Sequence, residues 1–137
     1  MPARKFVDTN IWLYALVQSS ENDSRHEKAA RLLEEIARPV VSTQVIRESC
    51  NNLIKAGIPE NSLKALISGW YQDCEVNEAT ESQFLLASNL RESFSFSHWD
   101  SLIVAAALDA GCETLYSEDM QHGQVIEGKL TIINPLI

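Results

Sequence analysis

The sequence predicts an α/β fold of three layers, with helices on both faces of a central, mostly parallel sheet of four to five strands. Three observations carry that expectation. Short β-branched runs alternate with longer stretches of helical periodicity, the order that builds a parallel sheet by crossover. One late helical stretch is apolar on nearly every side, as a helix buried inside the molecule must be. The 137 residues, 45% hydrophobic and 22% charged with only five Gly and four Pro, suffice for one core, so residues 1–137 are expected to form a single domain.

Taken in order, strands are expected at RKFV, PVVS, DCEV, ETLYS and LTIIN, with DCEV the weakest pattern. Helices are expected to begin near Thr9, Arg25, Thr43, Pro59, Glu78 and Trp99. In the second helix, HEKAARLLEEIA sets Ala29, Leu32, Leu33 and Ile36 on one stripe and its charges on the other, the pattern of a helix covering a sheet. WDSLIVAAALDAG reads as the buried helix: Leu102, Ile103, Val104 and three successive alanines fill it, and Gly111 stops it. ETLYSEDMQHG then leaves a strand for a loop carrying Glu118 and Asp119.

Charge excludes a whole class of binding modes. Eleven basic against nineteen acidic residues leave a net charge of −8, so no general basic coat can hold a polyanion. A bound divalent cation would reverse those electrostatics locally. Cys50, Cys74 and Cys112 are odd in number, far apart and in none of the paired spacings of a zinc site, and read as buried reduced thiols. No apolar run approaches the roughly 20 residues of a membrane span. Lys5 is followed by Val7 and Asp8 rather than by a secretory apolar core, so a cytoplasmic protein with no membrane partner is expected. The absence of a glycine-rich phosphate loop, a nucleophile elbow and a metal-binding cysteine pair removes nucleotide kinases, serine hydrolases and zinc modules.

Four acids recur at element ends or on helices: Asp8, Glu48, Asp100 and Asp119. Singly, each has a plain structural reading. Asp8 caps a helix, Glu48 is a solvated helix residue, Asp100 completes a capping box with Ser97, and Asp119 forms a turn. Jointly they read otherwise. In an open parallel sheet the binding crevice lies beyond the carboxyl ends of the strands, where Asp8 and Asp119 both emerge. Carboxylates gathered there repel one another unless a cation joins them, and oxygen-only ligands suit Mg²⁺ or Mn²⁺. The chemistry suggested is metal-assisted phosphodiester hydrolysis.

The four blocks FVDTNIWLYAL, VVSTQVIRE, SHWDSLIVAAAL and TLYSEDMQHG resemble those of PIN-domain ribonucleases, especially the VapC-type toxins, and the likeness covers almost the whole chain. It implies a PIN-like α/β/α fold, with Asp8, Asp100 and Asp119 as metal-site acids and Glu48 completing the catalytic set. It further implies that Thr9, Asn10 and Ser117 orient the carboxylates or water from behind, a role with a general basis in metal sites. Glu118 is either a further carboxylate of that set or a solvent-facing neighbour. The activity implied is Mg²⁺- or Mn²⁺-dependent endoribonuclease action on single-stranded or loop RNA, leaving a 5′-phosphate and a 3′-hydroxyl. Implied partners are a second copy of the chain in a homodimer and a small antitoxin whose helix fills an apolar groove. The rival readings are a catalytically silent PIN-like scaffold that binds RNA or protein, and a phosphoacceptor signalling domain.

Other residues are given ordinary roles. His98 and His122 lack a zinc-type spacing and are expected at the surface or in loops. Trp12, Tyr14, Trp70 and Trp99 could stack bases, but apolar flanks point Trp12 and Trp99 to the core. Arg4, Arg25, His26, Lys28 and Arg31 form either an RNA rim or an exposed helix face.

Overall fold

The computed structural model describes residues 3–17 and 23–137. Their strands are β1 (Lys5–Val7), β2 (Val40–Ser42), β3 (Glu75–Asn77), β4 (Thr114–Tyr116), β5 (Val125–Ile126) and β6 (Leu130–Ile133). The helices are α1 (Thr9–Leu16), α2 (Ser24–Glu35), α3 (Thr43–Lys55), α4 (Glu60–Asp73), α5 (Glu81–Ser93) and α6 (His98–Asp109). One sheet takes all six strands in the order β3-β2-β1-β4-β6-β5, parallel throughout except for the β5–β6 pair.

The sequence predicted four to five strands; the sixth is β5. It is two residues long, too short to show a period, and it exists because the chain turns back through Glu127 and Gly128. Both have positive φ, and Lys129 N–H donates to the Ile126 carbonyl at 3.0 Å. The fifth helix begins at Glu81 rather than near Glu78 because Thr80 is its cap, the hydroxyl accepting from Gln83 N–H at 3.3 Å.

Chain order and strand order together place the helices. From β1 the chain moves outward to β2 and β3, then returns across the sheet to β4. Right-handed crossovers put α1 to α4 on one face and α5 and α6 on the other. The contacts follow: α1 packs on α2 and α3, α3 on α4, and α5 on α6, which lies against β2 and β4. Phe6, Val7, Val40, Val41, Leu115 and Ile132 fill the sheet's interior, and Ile103, Val104 and Ala105–107 bury α6 against it. Trp12 of α1 and Trp70 of α4 are buried edge to face, 6.0 Å between centroids.

Trp99 departs from the expectation that it lies in the core: it is 62% exposed. The helix enters the core only from Ser101 onward, and His98 and Trp99 stand in the turn before that point. Of the basic residues of the first third, Arg25, Lys28 and Arg31 are exposed on α2, while Arg4 lies apart from them. Arg4 pairs with Glu75 at the amino ends of the strands, Lys28 donates to the Leu136 carbonyl, and Arg25 bridges Asp23 and Tyr14. Cys50, Cys74 and Cys112 are free thiols, the last two buried and the first half-buried. No helix among the described residues is long and apolar enough to cross a membrane.

Candidate active site

Strand order reverses between β1 and β4, and such a switch point opens a crevice at the carboxyl ends of the strands. Val7 pairs with Tyr116 in register, so the next residue on each strand, Asp8 and Ser117, emerge side by side. Asp8 is buried and caps α1: Oδ1 accepts Thr9 N–H at 2.7 Å, while Oδ2 accepts the Ser117 hydroxyl at 2.9 Å. The capping reading of Asp8 and its place among the acids are therefore both realised. Burial is the chief reason its carboxyl is pushed up from 3.8 to about 6. The two hydrogen bonds oppose that rise, and the charges of Glu48 and Asp119 add to it.

Glu48 comes from α3. It is half-buried rather than solvated, Oε2 accepting from Thr9 Oγ1 at 2.8 Å and Oε1 from Gln44 Nε2 at 2.8 Å. Asp119 is the exposed member; its Oδ2 accepts from Asn10 Nδ2 at 2.8 Å, and its amide reaches Ser117 Oγ at 3.3 Å. Asp100 stands in the first turn of α6, its amide donating to Ser97 Oγ at 3.1 Å, which is the Ser97 half of the expected capping box. Partial burial raises the Asp100 carboxyl, opposed by Ser97 and reinforced by Glu48. Desolvation likewise raises Asp119, followed by the charges of Glu118, Asp100 and Glu48.

The charge of Glu48 thus reaches Asp8, Asp100 and Asp119, that of Asp119 reaches Asp8 and that of Asp100 reaches Asp119, and no lysine or arginine is among the principal influences on Asp8, Asp100 or Asp119. Among the described residues, no three His, Cys, Asp or Glu side chains close tightly enough to hold a metal ion unaided. Asp8, Glu48 and Asp119 accept hydrogen bonds from neutral donors. The donor set is all oxygen and fits Mg²⁺ or Mn²⁺, which take one or two carboxylates and complete their shell with water.

Glu118 is occupied elsewhere. Both its oxygens accept from the Tyr14 hydroxyl, at 3.1 and 2.9 Å, and Arg25 donates to that same hydroxyl at 3.2 Å with its guanidinium 4.7 Å from the ring centroid. Burial and Glu118 together push the Tyr14 phenol up. His122 Nδ1 accepts from Asn134 N–H at 2.9 Å, a loop role, while His98 lies edge to face with Trp99. Sequence reasoning missed Gln44. It stands four residues before Glu48 on one helix face, a spacing at which an amide and a carboxylate meet.

A family model described as PIN domain matches residues 5–126. Among curated proteins none matches the sequence. Several solved structures are similar, the following two among them. One is the Mycobacterium tuberculosis toxin VapC20, described as cleaving the sarcin–ricin loop. It is 21% identical, with a TM-score of 0.66 over 84% of this chain and 89% of that one. The other is a chain of a toxin–antitoxin complex from Klebsiella pneumoniae, 16% identical, with a TM-score of 0.73 over 97% of this chain and 98% of that one. At these identities the likeness is one of fold.

Proposed function

The chain belongs to the PIN-domain family, and on that premise we propose that it is a metal-dependent endoribonuclease serving as the toxin of a toxin–antitoxin pair. The observation that carries this reading is the meeting of Asp8, Glu48, Asp100 and Asp119 at the sheet's switch point with no cation among them. In this reading Asp8, Asp100 and Asp119 hold Mg²⁺ or Mn²⁺, with Glu48 completing the set. When bound, the ion supplies Lewis acidity that offsets phosphate charge and makes water more acidic.

The chain's own groups do the positioning. Thr9 N–H and the Ser117 hydroxyl fix both oxygens of Asp8, so its carboxylate cannot rotate away when phosphate approaches. Thr9 Oγ1 and Gln44 hold Glu48 in the same way, and Asn10 steadies the exposed Asp119. In the reaction a water oxygen bonds to phosphorus as the P–O3′ bond breaks. One water proton ends on the 3′-oxygen, giving a 3′-hydroxyl and a 5′-phosphate. Carboxylates lying beside a water are fitted to accept its proton.

The similar fold within a solved toxin–antitoxin complex supports a small antitoxin as partner, and a homodimer is proposed with it. The test is cleavage of RNA with exposed loops in Mg²⁺ or Mn²⁺, followed in EDTA and in Ca²⁺. Cleavage should stop in chelator and be weak in calcium, whose longer and looser coordination positions water poorly. Equal cleavage in EDTA overturns the reading.

A further inference from the structure

Helices α3, α5 and α6 enclose a groove of about 650 Å³. It is continuous with the acidic site, since Glu48 is part of its lining and Gln44 links the two: Nε2 donates to Glu48 Oε1 at 2.8 Å and reaches the Trp99 carbonyl at 3.4 Å. At its mouth lies Trp99, 62% exposed and directly preceding Asp100 in the chain, its indole met edge to face by His98 at 4.8 Å. Phe84 lines the groove from α5 and is also half exposed. Arg47, beside Glu48 on α3, is exposed and makes no ion pair or hydrogen bond among the described residues. Asn51, one turn further on α3, adds an amide.

We propose that this groove seats the base of a nucleotide next to the phosphate being cut, with Trp99 as the stacking face and Arg47 as the contact to that nucleotide's own phosphate. The proposal rests on the ribonuclease reading and adds the residues that hold the nucleotide beside the scissile phosphate. A groove of this volume accommodates a nucleotide-sized group. An aromatic face takes any base, because every base has a π-face. In a chain of net charge −8, an unpaired arginine close to an acidic site supplies the local attraction a polyanion needs. Within a paired helix both faces of a base are covered by its neighbours, so stacking on Trp99 selects RNA in which a base is unpaired and can swing out.

The test uses a fluorescently labelled RNA loop titrated in Ca²⁺, in which cleavage is weak, beside cleavage kinetics on the same RNA in Mg²⁺. Trp12 and Trp70 are buried, so quenching of tryptophan emission reports on Trp99. Binding should quench the wild type and weaken about 10-fold in Trp99→Ala, with Trp99→Phe recovering most of the affinity. In cleavage, Trp99→Ala should raise KM about 10-fold with a much smaller change in kcat. Active protein with unchanged KM and no quenching overturns the base site and leaves the nuclease reading standing. Quenching without cleavage of any RNA supports the base site and overturns the nuclease reading. Should Trp99→Ala break a dimer by sedimentation while affinity per chain is unchanged, the face is an interface between copies and the proposal fails.

Discussion

The Ser117 hydroxyl lies 2.9 Å from Asp8 Oδ2 and 3.3 Å from the amide nitrogen of Asp119. One side chain at the end of β4 therefore joins the acid that leaves β1 to the acid that follows β4. Register makes this possible, because Val7 and Tyr116 are paired and each strand's next residue falls into the crevice.

Ser117→Ala removes the donor and leaves a buried carboxylate oxygen without a partner. The variant should cleave RNA roughly 10- to 100-fold more slowly, as happens when a group orienting a ligand is lost. It should also be less stable by about 1–3 kcal/mol where Asp8 is ionised. Since the hydroxyl holds the Asp8 carboxyl down, its loss moves the acid limb of the pH–rate profile to higher pH. An unmoved acid limb at wild-type rate would show that Ser117 does not act through Asp8.

Asp8 itself predicts an unusual pH dependence for the metal-free protein. Its carboxyl sits near 6 when folded and near 3.8 when unfolded, so between those values the folded state binds the extra proton. Stability should therefore fall as pH rises from about 4 to above 6, opposite to a salt-bridged aspartate, by an amount on the order of 3 kcal/mol. Asp8→Asn should flatten that part of the curve. Thermal melts of both proteins in EDTA across the window provide the check, and parallel curves would contradict it. Adding Mg²⁺ should restore wild-type stability above pH 6 by binding the native state, and should do so less for Asp8→Asn.

Much of this arrangement was legible in the sequence because strand and helix periods differ. The strand segments other than β5 and the α6 core could be read from apolar spacing, whereas the four acids stood out only as charges at element ends or on a helix, and their joint role came from the PIN-domain resemblance. What escaped depends on contacts between distant segments. Two-residue β5 exists only through its turn and its pairing to β6, and Trp99 reads as core from its apolar neighbours although α6 is buried only from Ser101. Glu118 left two readings open because its choice rests on Tyr14, 104 residues away. Nearest-neighbour patterns carry no record of such meetings.

Glu118 provides a discriminating variant. Both its oxygens are engaged by Tyr14, which Arg25 in turn holds, so Glu118→Gln should retain cleavage within about 3-fold and leave the Mg²⁺-induced stabilisation intact. Tyr14→Phe frees the carboxylate beside Asp119, whose own carboxyl already feels the charge of Glu118. A loss of cleavage in Glu118→Gln as deep as that of Asp119→Asn would place Glu118 among the acids of the site instead.

Asp100 separates capping from catalysis because the two roles give stability changes of opposite sign. It carries a carboxyl raised by burial and by Glu48, so Asp100→Asn relieves both, and the metal-free variant should be as stable as wild type or more so. It should nevertheless lose about 100-fold or more in cleavage rate and much of its Mg²⁺-induced rise in melting temperature. If the carboxylate serves only the helix N-terminus, neutralising it should cost about 0.3–1 kcal/mol with or without Mg²⁺ and leave cleavage intact. Ser97→Ala calibrates the scale. That substitution removes the hydroxyl accepting the Asp100 amide and should cost about 1 kcal/mol in both conditions. An Asp100→Asn protein that tracks Ser97→Ala in both melts and cuts RNA at the wild-type rate would take Asp100 out of the catalytic set.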